Sequence, residues 1–178
     1  GIPQGRITVN ATPDADVDGP TSGTNTNGQA RAYVSSTVIG VKTVTVSIQE
    51  IGQDPVELSD HPQINFISGA IDTNVSMITV TSPHVVGPED PATISITLRD
   101  LHGNPIIGFE PGNILIISDS DLLGEFTPTA VTDENGRTQT QVTHTVAETV
   151  NFIARVTVAG HHFFVRDSLG VPANTTFL

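Results

Sequence analysis

Asp14, Asp16, Asp18 and Gly19 spell D-x-D-x-D-G, the spacing with which a loop opens around calcium. Alternate carboxylates can converge on one hard cation, and the glycine permits the sharp turn between them. The twelfth position of such a loop supplies a bidentate glutamate; here it is Asn25, and no helical pattern flanks the segment. A solvated acidic loop is therefore expected, with calcium binding as the alternative. Asp119, Asp121 and Glu125 occupy a corresponding stretch further along with fewer ligands, and there too a plain acidic turn is expected.

Other chemistry-bearing residues are dispersed. His161 and His162 are adjacent, so on a strand they point to opposite faces and cannot chelate one ion together. His61, His84, His102 and His144 show no metal-ligand spacing, and there is no cysteine. No serine stands in G-x-S-x-G or S-x-x-K. Ser35, Ser36 and Ser47 fall in segments that read as strand faces. One tyrosine, Tyr33, and no tryptophan leave little material for a sugar-binding cleft. Lys42, the single lysine, is the one residue that could form an intramolecular isopeptide bond. Asn10, Asn74 and Asn174 fit N-x-[ST], which matters only in a host that glycosylates. No catalytic residue, metal site or cofactor is expected.

The elements that carry these residues are organised around a repeat. Residues 133–158 restate residues 25–48. Asn27 matches Asn135, Gly28 matches Gly136, and at the same offset Val34, Thr37, Val38, Val44 and Ile48 match Val142, Thr145, Val146, Phe152 and Val156. Each copy reads as a turn, a strand, a short connection and a second strand, expected to be a hairpin. Val44, Val46 and Ile48, like Phe152, Ala154, Val156 and Val158, alternate with polar residues. That period places one face on a core and the other in water. The repeat length suits sandwich domains rather than solenoid units.

Further strands are expected at 7–11, 63–68, 76–81, 93–99, 113–118, 126–131, 161–165 and 175–178. The segment 14–27 reads as one long polar loop, 49–62 as irregular, and 1–5 as a turn. Residues 69–74, small and polar, suggest a boundary between a domain at 1–68 and one at 69–178. Thr, Val, Ile and Ser fill short segments punctuated by Gly, Pro and Asn, with no helical period, so the chain reads as all-β.

Composition bounds the partners. Of 178 residues, 37% are hydrophobic, enough for a packed core. Seven basic residues face 19 acidic ones, a formal net charge of −12. A phosphate backbone or an anionic membrane surface would be repelled, and no apolar run is long enough to span a bilayer. Nucleic acid and membrane insertion are thus not expected; protein partners are.

Residues 76–158 resemble a bacterial Ig-like domain of the invasin/intimin type. The matching pieces are the alternating TISITLRD, the turn DLHGNPI, the core strand NILIIS and the turn-led TDENGRTQTQVTHT. Glu148 and Thr149 depart from the family's small pair at that point, where the earlier copy keeps Gly40. The resemblance covers nearly all of 70–178 and the second half of a unit in 1–68. It implies tandem Ig-like β-sandwiches, the N-terminal one lacking its first two strands if 1–5 matches the turn at 103–108. Those strands would stand upstream in a longer array or come from another copy or chain by strand complementation. The implied function is non-enzymatic and extracellular: an Ig-like stalk of a bacterial cell-surface adhesin. The alternative is a fibre or pilus-like filament subunit whose partners are other copies.

Overall fold

The computed structural model describes residues 1–3 and 6–178, so part of the expected 1–5 turn lies outside the described residues. The chain forms two compact units, Gly1–Ile67 and Ser68–Leu178. Both are β-structures, and no α-helix occurs among the described residues.

The second unit holds β7 (Met77–Val80), β8 (Ala92–Thr97), β9 (Ile114–Ser118), β10 (Glu125–Phe126), β11 (Arg137–Val142), β12 (Thr149–Val158), β13 (His161–Val165) and β14 (Ala173–Thr176). They make two antiparallel sheets. One runs β11-β8-β7; the other runs β10-β9-β12-β13, with β14 also paired to β12. The inner faces meet in one core. Ile78, Ile94 and Ile96 come from the smaller sheet, and Ile114, Ile116, Phe152, Ala154 and Val156 from the larger, all fully buried. Period-2 alternation produces this directly, because every second residue of β12 from Val150 to Val156 turns inward. Each such side chain adds on the order of 1.5–3 kcal/mol by leaving water.

The first unit holds β1 (Ile7–Thr12), β2 (Asp16–Asp18), β3 (Tyr33–Ser35), β4 (Gly40–Ile48), β5 (Val56–Glu57) and β6 (Gln63–Phe66). Its sheet repeats the larger sheet of the second unit. β4 takes β1 on one edge, with Val44 opposite Ala11, and β5 and β6 on the other, with Ile48 opposite Val56 and Lys42 opposite Ile64. β12 likewise takes β9 on one edge and β13 and β14 on the other, with Val150 opposite Thr175. The smaller sheets differ. β11 pairs with β8, whereas β3 pairs with β2.

Several sequence expectations need correction. The repeated strand pair is not a hairpin: β3 and β4 lie in different sheets, as do β11 and β12. The connection after β11 crosses from one layer to the other, so β11 pairs back with β8 while β12 pairs with β9, β13 and β14. Residues 14–27 are not one loop, because Val17 alternates between two aspartates and β2 pairs with β3 through Val17 opposite Val34. Ser36 stands beyond β3, and its hydroxyl donates to the Asp14 carbonyl at 2.6 Å. The stretch 49–62 contains β5, and the piece expected at 126–131 is only the short β10. The expected division into 1–68 and 69–178 is not among these corrections; within 69–74, Ile71 bridges Asp100, and the Asp72 N–H donates to the Arg99 carbonyl at 2.8 Å.

Candidate functional site

An open recess lies wholly within the first unit. The inward residues of its sheet, Ile7, Val9, Val44, Val46 and Ile48, line an open cleft of about 630 Å³ that Val34 helps to close. In the second unit the matching face is covered by β7 and β8. The glycines of the repeated turns register the difference. At Gly136 (φ +71°) a side chain would run into the Leu98 carbonyl and the Ile106 N–H, while at Gly28 (φ +77°) nothing lies within 4 Å.

Both units nevertheless guide the chain into the larger sheet by the same clasp. The Phe109 N–H donates to the Thr132 hydroxyl at 2.8 Å, and the Thr132 N–H returns a bond to the Phe109 carbonyl. In the first unit the Ile2 N–H donates to the Thr24 hydroxyl at 2.7 Å, and the Thr24 N–H to the Ile2 carbonyl at 2.9 Å. Ile2 therefore stands where Phe109 does, so Gly1 corresponds to Gly108 and precedes the clasp rather than matching the start of the turn at 103.

Asp100, 3% exposed, anchors the DLHGNP turn. Its carboxylate accepts backbone N–H bonds from His102, Asn104 and Gly69 at 2.9 Å each, and the Asn104 amide at 2.9 Å. Burial pushes this carboxyl up, but the Asn104 side chain and the three backbone donors outweigh it, and the net shift is downward. The sequence marked this stretch as a turn; nothing in it announced that Gly69 would be held by the same carboxylate.

A second polar cluster surrounds Phe177. His144 is buried, with its ring centroid 5.1 Å from that of Phe177 and its Nε2 2.6 Å from Glu148 Oε1. The Ser120 hydroxyl donates to the same oxygen at 2.9 Å. His84 lies on Phe177 as well, at 6.2 Å between centroids, and contacts Asp90 at 3.0 Å. The bonds from Ser120 and then His144 hold the Glu148 carboxyl below its ordinary value. The carboxylate stands between hydroxyl and imidazole, whereas an activated serine needs the imidazole as its direct partner. The arrangement packs on Phe177; it is not wired for acyl transfer.

The sequence candidates fall as follows. Asp16 and Asp18 are exposed on β2, and Asp14 is exposed in the preceding turn at φ 48°. Asn25, in the calcium-loop position, spends its side-chain oxygen on the N–H groups of Asn27 and Gln29. Asp119 bonds the backbone and side chain of Asn151, which lower its pKa, while Asp121 and Glu125 are exposed. Among the described residues no group of three or more His, Asp or Glu could hold a metal ion. His161 and His162 are exposed on β13, His102 is exposed, and His61 meets Glu57 at 2.9 Å. Lys42 is 2% exposed and occupies the inward position that Val150 takes in the second unit. Asn10, Asn74 and Asn174 are all exposed. No helix among the described residues is long and apolar enough to cross a membrane.

No family model matches the chain. The inverse autotransporter adhesin YeeJ of Escherichia coli (strain K12) is 31% identical over 87 residues, which are 49% of this chain and 4% of that protein. The chain thus spans a small fraction of the curated relative it matches. Among solved structures, the Escherichia coli adhesin FdeC aligns with a TM-score of 0.55 at 16% identity, covering 97% of this chain and 53% of that one. That likeness speaks to the fold. The structure of invasin, a bacterial integrin-binding protein, aligns at a TM-score of 0.43 and 18% identity over 92% of this chain and 32% of that one. The DLHGNP turn on its buried aspartate and the two-sheet sandwich carry the likeness of this chain to bacterial Ig-like domains of the invasin/intimin type, and the fold shared with FdeC and the 87-residue match to YeeJ, both adhesins, agree with it.

Proposed function

We propose that the chain is a non-enzymatic spacer, Ig-like units in series that hold an adhesive element away from the bacterial envelope. The observation that carries this reading is the size of the match: 87 residues that make up 4% of an adhesin. So small a share of a long adhesin is what a repeated shaft module contributes. The mechanical design supports it. β12 is laddered on both edges, to β9 and to β13 and β14, over a fully buried core. An excess of acidic over basic residues, 19 against seven, keeps neighbouring shafts apart at low ionic strength. Protein partners on this reading are adjoining Ig-like units, and no cofactor takes part.

The test displays a small ligand-binding domain on cells at the end of this chain, with capture of ligand-coated beads as the readout. Inserting the chain should raise capture, and an unrelated sandwich pair of equal length should substitute for it. Saturable binding of the isolated chain to host cells, lost on that replacement, would overturn the reading and make the chain itself the adhesive part.

A further inference from the structure

We infer that the outer face of the larger sheet of the second unit is an interface between two copies of this chain, which pair face to face and stop at two. The inference goes beyond the spacer reading and does not rest on it. The residues of β9, β12 and β13 that turn away from the core include Leu115, Ile117, Ile153, Arg155 and Phe164. Register gathers them: Ile117 stands opposite Ile153, and Arg155 has Leu115 on one side and Phe164 on the other. None belongs to the core cluster, because Phe152, Ala154 and Val156 hold the inward positions that alternate with them. Leu115, Ile117 and Ile153 are partly buried by their neighbours, and Phe164 is 47% exposed.

The first unit supplies an internal control. Thr8 faces Ser47 there as Leu115 faces Arg155, and Asn10 faces Thr45 as Ile117 faces Ile153. Glu57 likewise faces Ser47 as Phe164 faces Arg155. The same face of the same sheet is thus hydroxyl, amide and carboxylate in one unit, and apolar around a single cation in the other. An outer face that meets only water takes the first set. The fold does not require the second, and an apolar group confined to one unit marks a contact surface. It also explains why Ile114, Leu115, Ile116 and Ile117 run without alternation: Ile114 and Ile116 serve the core, and Leu115 and Ile117 the outer face.

Charge selects the occupant. Among the described residues every ion pair involves a histidine, so Arg155 has none, and its Nε is shut off from water without a hydrogen-bond partner. Glu125 stands on the same face, opposite Ile117 on β10, exposed and without an ion pair. A guanidinium and a carboxylate held apart on one apolar floor are complementary to the same face turned over. In a two-fold pair each Arg155 meets the Glu125 of the other copy, and both contacts form at once. An acidic segment of another protein would satisfy Arg155 and be repelled by Glu125. Because the pair occupies the face on both copies, it closes.

The experiment follows sedimentation of the full chain over micromolar to millimolar concentrations. It is run at about 0.15 M salt, where screening shortens the reach of the net charge of −12 to about 8 Å. A reversible equilibrium between monomer and dimer is expected. Arg155→Glu and Glu125→Arg should each weaken association at least about tenfold, and R155E with E125R together should restore it to within about threefold of the original. A graft of the first unit's residues, L115T, I117N, I153T, R155S and F164E together, should leave monomer alone. The charge exchange keeps the test decisive should the graft unfold the sheet. A chain that stays monomeric throughout sinks the inference. So does a folded graft that still pairs, an exchanged pair no better than the single variants, or association that continues past two copies.

Discussion

Asp100 illustrates how one side chain can serve two segments. It accepts three backbone N–H groups and an amide while 3% exposed, so truncating it removes four part-buried hydrogen bonds at once. Asp100→Ala should cost the second unit about 2–4 kcal/mol, measured by urea denaturation. The pH dependence has a defined sign. The folded carboxyl titrates below its ordinary 3.8, so its stabilisation is complete above that value and is lost as pH falls through the lower folded one. Asp90, Asp119, Asp133 and Glu148 are shifted in the same direction. Stability should therefore be flat above pH 4.5, the ordinary value of Glu148, and fall on acidification below it as the aspartates follow from 3.8, and Asp100→Asn should reduce that fall. Gly136→Ala should also be severe, about 2–4 kcal/mol, because positive φ and backbone collision act together. Gly28→Ala should cost only the strain of its φ, about 1 kcal/mol. Lys42 is the opposite case, a charged residue in an inward position that the second unit gives to Val150. Lys42→Val should raise the stability of the first unit by about 1 kcal/mol, and the intact mass of the wild-type chain should show no loss of water or ammonia from an isopeptide bond.

At the scale of elements, alternation was the reliable guide. The segments around Ile94, Ile96 and Leu98, the run Phe152, Ala154, Val156, and the strand at His161–Val165 were all legible, because each pattern reports only which face a residue takes. Pairing was not legible. The repeat looked like a hairpin because its strands are close in sequence, yet they join opposite sheets, and a local pattern carries no record of which distant strand completes a ladder. The same limit hid the cluster on Phe177, whose members His84, Ser120, His144 and Glu148 come from three separate connections. The Thr132 clasp was hidden too. Its hydroxyl both accepts from Phe109 and donates to Ile106, so Thr132→Val should destabilise the second unit by about 1–3 kcal/mol, read as a shift in its thermal midpoint.

At the scale of the whole molecule, the two units have unequal cores. Fifteen buried residues form the cluster of the second unit, whereas among the described residues of the first the buried apolar ones are Ala11, Pro20 and Val44. Unfolding in urea should accordingly proceed in two steps, with residues 1–67 lost first and proteolytic cleavage confined to them while the second unit persists. The net charge of −12 should keep the chain dispersed at low ionic strength, with any self-association appearing as salt is raised, a dependence that light scattering would follow.

The layer-crossing connection after β11 also sets a schedule. β12 and β13 are joined by a tight turn at Ala159 and Gly160, and β14 returns to β12 from a few residues further on. β8, by contrast, must wait for β11, which lies some forty positions away on the chain, as in the pairing of Thr97 with Arg137. A polypeptide released tail first could assemble a three-stranded platform at once and recruit the rest to it. Released head first, it would hold β7 and β8 as an exposed, unsatisfied ribbon until most of the unit had emerged. The same fold thus presents a different period of vulnerability according to the direction in which the chain is delivered.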